Sequence, residues 1–176
     1  ASLRGALGSI VAAWHRIRNS QEPITSKADL SYAENFLYML GAEKITPLMT
    51  RIMDATLVLH GEHTINASTF TAMVTSSTLA NASQVVASAI GSLSGPLHGG
   101  ANEKVVAMLQ KINSKDDIRP WLDETLKAKN VVWGMGHREY SVKDPRANIL
   151  TDMVQELFDE RDGGVTDIFE KAIELE

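Results

Sequence analysis

Apolar residues recur at three- and four-residue intervals along almost the whole chain, and two-residue alternation is nowhere sustained. The first spacing lines one face of an α-helix, whereas the second marks a half-buried strand. Leu7, Ile10, Val11 and Trp14 carry the pattern through residues 5–18, which stop before Asn19 and Pro23. Ser31 and Glu34 form a capping box ahead of Phe36, Leu37, Tyr38, Met39 and Leu40, and Gly41 closes that helix. Thr46 supplies an N-cap and Pro47 the first position of a helix running to about His60. Between residues 67 and 95, 19 of 29 positions are Ala, Ser, Thr or Gly. That run fits two helices, 66–80 and 83–94, hinged at Asn81. Small side chains let helix backbones approach closely, so this pair reads as a tightly packed hairpin, part of whose surface can serve as a subunit interface. Further helices are predicted over 103–112, over a segment holding Trp121, Leu122 and Leu126 capped by Asp116 or Asp117, and over 145–159. A last one follows the break at Gly163 and Gly164. Residues 131–133 are too few for more than an extended loop. The fold class is all-α.

Composition narrows the function classes. Cysteine is absent, which excludes disulfides, thiol catalysis and cysteine-ligated metals. A formal charge of −5, with acids and bases interspersed, argues against a nucleic-acid partner. No apolar run reaches the roughly 18 residues of a membrane span, and the sequence carries no secretory-signal pattern. The periodic pattern is already running near Ala1 and is still running at Glu176, so both ends read as cuts in a longer protein.

Three stretches carry candidate chemistry. His98 lies in Gly95-Pro96-Leu97-His98-Gly99-Gly100-Ala101-Asn102, where glycines permit a tight turn and close approach to the backbone. A neutral imidazole there can donate a hydrogen bond to a developing enolate oxygen. His137 closes Gly134-Met135-Gly136-His137, a second glycine-containing loop that presents a ring. Downstream, Asp144-Pro145-Arg146 places a guanidinium on the first turn of a helix, a geometry suited to bidentate capture of a carboxylate. His60 and His63 are three apart, but Gly61 interrupts the helix and no HExxH pattern is present, so no metal site is assigned. Taken by themselves, the glycine-flanked histidines also read as turn residues and Asp-Pro-Arg as a plain helix start. Together they describe a site for a small carboxylate substrate, with acid–base chemistry and no thiol.

Gly-Pro-Leu-His98-Gly-Gly-Ala-Asn resembles a segment of the citrate synthase family, and the neighbouring motifs agree. His63-Thr-Ile-Asn66-Ala-Ser-Thr resembles the family's first histidine segment, with Glu62 where aspartate is common. Gly134-Met135-Gly136-His137-Arg-Glu-Tyr, followed by Asp144-Pro-Arg146, resembles its third. Tyr32-Ala-Glu-Asn-Phe-Leu-Tyr-Met-Leu is typical of bacterial and archaeal-type members. Three motifs in the family's order are far more specific than any one of them.

The resemblance implies a citrate synthase-like multihelical fold, with 1–98 part of the large domain, including dimer-interface helices, and 99–176 part of the small CoA-binding domain. It implies condensation of acetyl-CoA with oxaloacetate, then hydrolysis of the citryl thioester to citrate and CoA. His98 is implied to steady the enol, and His137 to polarise the ketone of oxaloacetate. His63 and Arg146 are implied to bind oxaloacetate, with Asn66 orienting His63 or water. Backbone contacts to coenzyme A are implied for Val131, Val132, Gly134, Met135 and Gly136. Lys143 stands in for a basic residue near the CoA phosphates, because Ser141 occupies a position where many members carry Lys or Arg. The family's aspartate base would fall beyond Glu176, as would further arginines. No permanently bound cofactor or metal is implied, coenzyme A thioester being a substrate. The expected assembly is a homodimer or a higher homo-oligomer of dimers, in the cytoplasm, or in the mitochondrial matrix of a eukaryotic source. Two alternatives share the motifs: a 2-methylcitrate synthase using propionyl-CoA, and a non-catalytic dimerising module derived from the fold.

Overall fold

In the computed structural model the predicted spacing becomes nine α-helices and one 3-10 turn among the described residues, which are 2–61, 64–135, 142–160 and 166–176, with backbone alone for 2–4. No strand occurs among them. The chain forms two compact units. The first comprises residues 1–62 and 145–160, and the second residues 63–144 and 161–176.

In the first unit, α1 (Ser2–Arg18), α2 (Tyr32–Leu40), α3 (Pro47–Leu59) and α8 (Pro145–Asp159) pack in the sequence α1 on α2, α2 on α3, α3 on α8. Ala12, Ala33, Met39, Leu48 and Phe158 form its buried core. Both caps of α2 are those the sequence predicts. The Ser31 hydroxyl accepts the Glu34 N–H and the Glu34 carboxylate accepts the Ser31 N–H. The Ser31 N–H, and then its hydroxyl, hold the Glu34 carboxyl below its ordinary value of 4.5. At the other end Gly41 adopts φ 99°, and Ala42 N–H reaches the Leu37 carbonyl at 3.1 Å. Thr46 caps α3 through Met49 N–H, and Pro47 opens it, again as predicted.

Gly41 is constrained by its left-handed backbone, whereas a Cβ there would meet only the tip of the Arg16 side chain, which can swing aside. Gly41→Ala in the full-length protein carrying this sequence is therefore expected to lower stability by about 1–2 kcal/mol from the left-handed backbone alone. The Tm in a calorimetric scan should therefore fall.

In the second unit, α4 (Ala67–Ser77) and α5 (Ala82–Leu93) pair as the small-residue hairpin, with Asn81 at the hinge. Asn66 and Asn81 are the two N-caps, accepting Thr69 N–H at 2.9 Å and Gln84 N–H at 3.0 Å. Neither helix has a fully buried residue, and Phe70 and Met73 remain 60% and 51% exposed. The remaining helices of this unit are α6 (Ala101–Gln110), α7 (Ile118–Lys127) and α9 (Asp167–Leu175). α9 packs on α6, on α7 and on the 3-10 turn Lys115–Asp117, over Met108, Leu109, Ile112 and Ile118. Lys171 is buried here, its ammonium paired one helical turn back with Asp167.

One expected cap is corrected. Asp117 takes the N-cap position of α7 but makes no side-chain cap bond, and its Oδ2 accepts the Ser114 hydroxyl at 2.8 Å instead. A cap at Asp117 would serve the second and third helical residues, Arg119 and Pro120, and proline has no N–H; the 3-10 turn runs straight into α7, bonding the Asp117 and Ile118 N–H groups to the Ser114 and Lys115 carbonyls. α6 also begins at Ala101, two residues earlier than the pattern suggests, because the Ala101 N–H bonds the His98 carbonyl and continues the preceding turn. Among the described residues no helix is long and apolar enough to cross a membrane.

Candidate active site

The segment between α5 and α6 is folded by its own backbone. The Gly95 carbonyl accepts N–H groups from His98 at 3.0 Å and Gly100 at 3.2 Å. Gly99 presses against the end of α5 so closely that a Cβ would lie 2.7 Å from the Leu93 carbonyl oxygen. Only glycine fits there. The tight turn is what sequence reasoning expects, and the structure adds that the close approach at Gly99 is to α5 itself.

This turn aims the His98 ring at the N-terminus of α4. Its Nε2 lies 3.3 Å from Ser68 N–H and 2.9 Å from the Ser68 hydroxyl oxygen. The Ser68 hydroxyl oxygen also lies 2.7 Å from Asn66 Oδ1, the oxygen that caps α4, so its one proton serves either Asn66 or His98 at a given moment. A hydroxyl can rotate between partners, but a backbone N–H has a fixed direction and can only donate. The Ser68 N–H therefore assigns the lone pair to Nε2, and the neutral ring carries its proton on Nδ1. His98 is thus built as a donor through Nδ1–H.

The sequence does not single out Ser68. It sits in a run of small residues, 30 positions from His98, where every serine looks alike. Ser68→Ala removes the hydroxyl while sparing the backbone bond. The expected result in the full-length protein is a kcat lower by about tenfold, the effect of one oriented hydrogen bond. KM for the small carboxylate substrate expected at Arg146 should move little, as steady-state kinetics can check.

Arg146 is the second residue of α8, and its Nη1 donates to the Leu59 carbonyl at 3.5 Å, at the end of α3. Beside it, the His60 ring bonds the Thr56 carbonyl through Nδ1 at 2.7 Å. Among the described residues no group of three His, Asp or Glu is placed to hold a metal ion. His63, Gly136 and His137 lie outside the described residues. Asn66 is described, and its side-chain oxygen serves Thr69 N–H and the Ser68 hydroxyl. His98 and Asn66 belong to the second unit, and Arg146 to the first.

After α7 the chain runs through Val131, Val132 and Trp133 without forming a strand, then turns at Gly134, whose φ is 88°. Met135 N–H closes that turn on the Val132 carbonyl at 3.3 Å. Val131 and Met135 are exposed. Lys104 holds its ammonium 4.3 Å from the centre of the Trp133 ring, a cation–π contact the sequence reading does not foresee. Lys143, expected near an anion, is paired with Glu176 at 2.6 Å.

With this geometry in view, comparison with known proteins is decisive. The sequence model for the citrate synthase C-terminal domain matches residues 1–176. The chain belongs to the citrate synthase family. A citrate synthase from Acidithiobacillus ferridurans is 48% identical over 168 residues, covering 96% of this chain and 44% of that relative. A 2-methylcitrate synthase from Shewanella oneidensis is 39% identical, covering 88% of the chain and 42% of its own length. Among solved structures, citrate synthase from Thermoplasma acidophilum, in a ternary complex with carboxymethyl coenzyme A and oxaloacetate, superposes with a TM-score of 0.84. Its sequence identity is 31%, over 96% of this chain and 44% of that one. This citrate synthase-family chain thus spans less than half the length of these relatives. The multihelical citrate synthase fold expected from its motifs is the fold it has.

Proposed function

We propose that this chain is part of a citrate synthase that condenses acetyl-CoA with oxaloacetate and hydrolyses the resulting thioester. The observation that carries the reading is the Ser68 N–H bond to His98 Nε2. It leaves Nδ1–H as a neutral donor, which is what a developing enolate oxygen needs. An α-proton beside a thioester is weakly acidic, so its removal requires a base and preorganised stabilisation of the enolate together. The base is an aspartate expected beyond Glu176.

In this reading Arg146 and His63 hold oxaloacetate, Asn66 orients their surroundings, and His137 polarises the ketone so that the enol carbon attacks it. Residues 131–136 contact coenzyme A through their backbone, and Lys143 faces its phosphates. Residues 1–98 contribute to the large domain and 99–176 to the small one. The exposed apolar residues Phe70, Met73, Val74, Ile90 and Leu93 on the small-residue hairpin support a homodimer interface there. An oligomer of dimers would extend it.

The test is oxaloacetate-dependent release of free CoA thiol by the full-length protein. Acetyl-CoA is expected to give the higher kcat/KM. A preference for propionyl-CoA would mark it as a 2-methylcitrate synthase, and no turnover of either thioester would leave a non-catalytic dimerising module.

A further inference from the structure

We propose that Glu176 tunes coenzyme A affinity by competing with the ligand's phosphates for Lys143. The inference rests on the reading of Lys143 as a phosphate contact. Lys143 Nζ lies 2.6 Å from Glu176 Oε2, a charge-assisted distance, and the two side chains retain 39% and 34% of their exposure. The pair joins the segment just before α8 to the residue that follows α9, 33 positions away, and both residues belong to the second unit.

A lysine ammonium is a compact point charge with three donors and no acceptor. Its charge is already matched by Glu176. An arriving phosphate must therefore displace the carboxylate or bind beside it against its repulsion. Partial exposure keeps the pair weak enough to open. Glu176 then lowers affinity without closing the site. A purely structural pair predicts the opposite sign, because losing it would loosen the segment that carries Lys143 and weaken the ligand.

The experiment titrates free coenzyme A into the full-length protein by calorimetry at low ionic strength. Glu176→Gln keeps the side chain's shape and an acceptor but removes its charge. It is expected to tighten coenzyme A about two- to fivefold, the size of an exposed ion pair. Lys143→Gln should weaken binding, and Glu176→Gln added to it should change affinity less than twofold. The tightening should also shrink as salt is added. Unchanged or weaker binding by Glu176→Gln, or an undiminished effect without Lys143, overturns the inference. Wild-type binding separates the two readings. If coenzyme A does not bind at all, the citrate synthase reading falls with this one, whereas binding that ignores Glu176→Gln removes this one alone.

Discussion

His98→Ala in the full-length protein is expected to lower condensation by about a hundred- to a thousandfold in kcat, the usual loss when one preorganised oxyanion donor is removed. The reasoning starts at the backbone. Ser68 N–H occupies the lone pair of Nε2, so the ring's single proton sits on Nδ1. The turn closed by Gly95 and the close approach of Gly99 to Leu93 hold the ring there before any substrate arrives. Such a donor acts where charge develops, so its loss belongs to kcat and not to binding of the second substrate. Calorimetry with oxaloacetate should give a Kd within about twofold of wild type, since the donor contributes little to ground-state binding. Near-normal turnover by the alanine variant would remove His98 from its assigned role.

Arg146→Ala is expected to act the other way round. Asp144-Pro145 starts α8 so that the guanidinium stands on its first turn, beside the end of α3, where Leu59 offers its carbonyl. A bidentate guanidinium–carboxylate contact comprises two charge-assisted hydrogen bonds, together about 3 kcal/mol, or on the order of a hundredfold. The KM for oxaloacetate should rise by that order, and the KM for acetyl-CoA should change little. Arg146→Lys should recover only part of the loss, because an ammonium cannot reproduce the planar fork. Equal effects on both KM values would count against a specific carboxylate contact.

The boundaries most legible in the sequence are those set by local chemistry. Ser31 with Glu34, Gly41, and Thr46 with Pro47 each act within one helical turn, and each is found where the spacing places it. Legibility ends where partners are distant. Ser68 is visible only because α4 begins opposite the 95–100 turn, and Glu176 only because its carboxylate meets Lys143. Asp117 shows a nearer limit. Its type and position suit a cap, but the third residue of α7 is Pro120, which has no N–H to offer a cap, and the Asp117 carboxylate takes the Ser114 hydroxyl instead. The histidines and Arg146 are conspicuous as residue types, yet their roles enter through three linked motifs and not through spacing alone.

Asn66 holds two offices with one oxygen. It caps the start of α4, and it shares the Ser68 hydroxyl proton with His98 Nε2. Loosening of that single helix end is therefore also a loss of control over which imidazole nitrogen is protonated. Anything that frays α4 by half a turn, whether heat, denaturant or a substitution at residue 66, should silence the chemistry while most of the fold still stands.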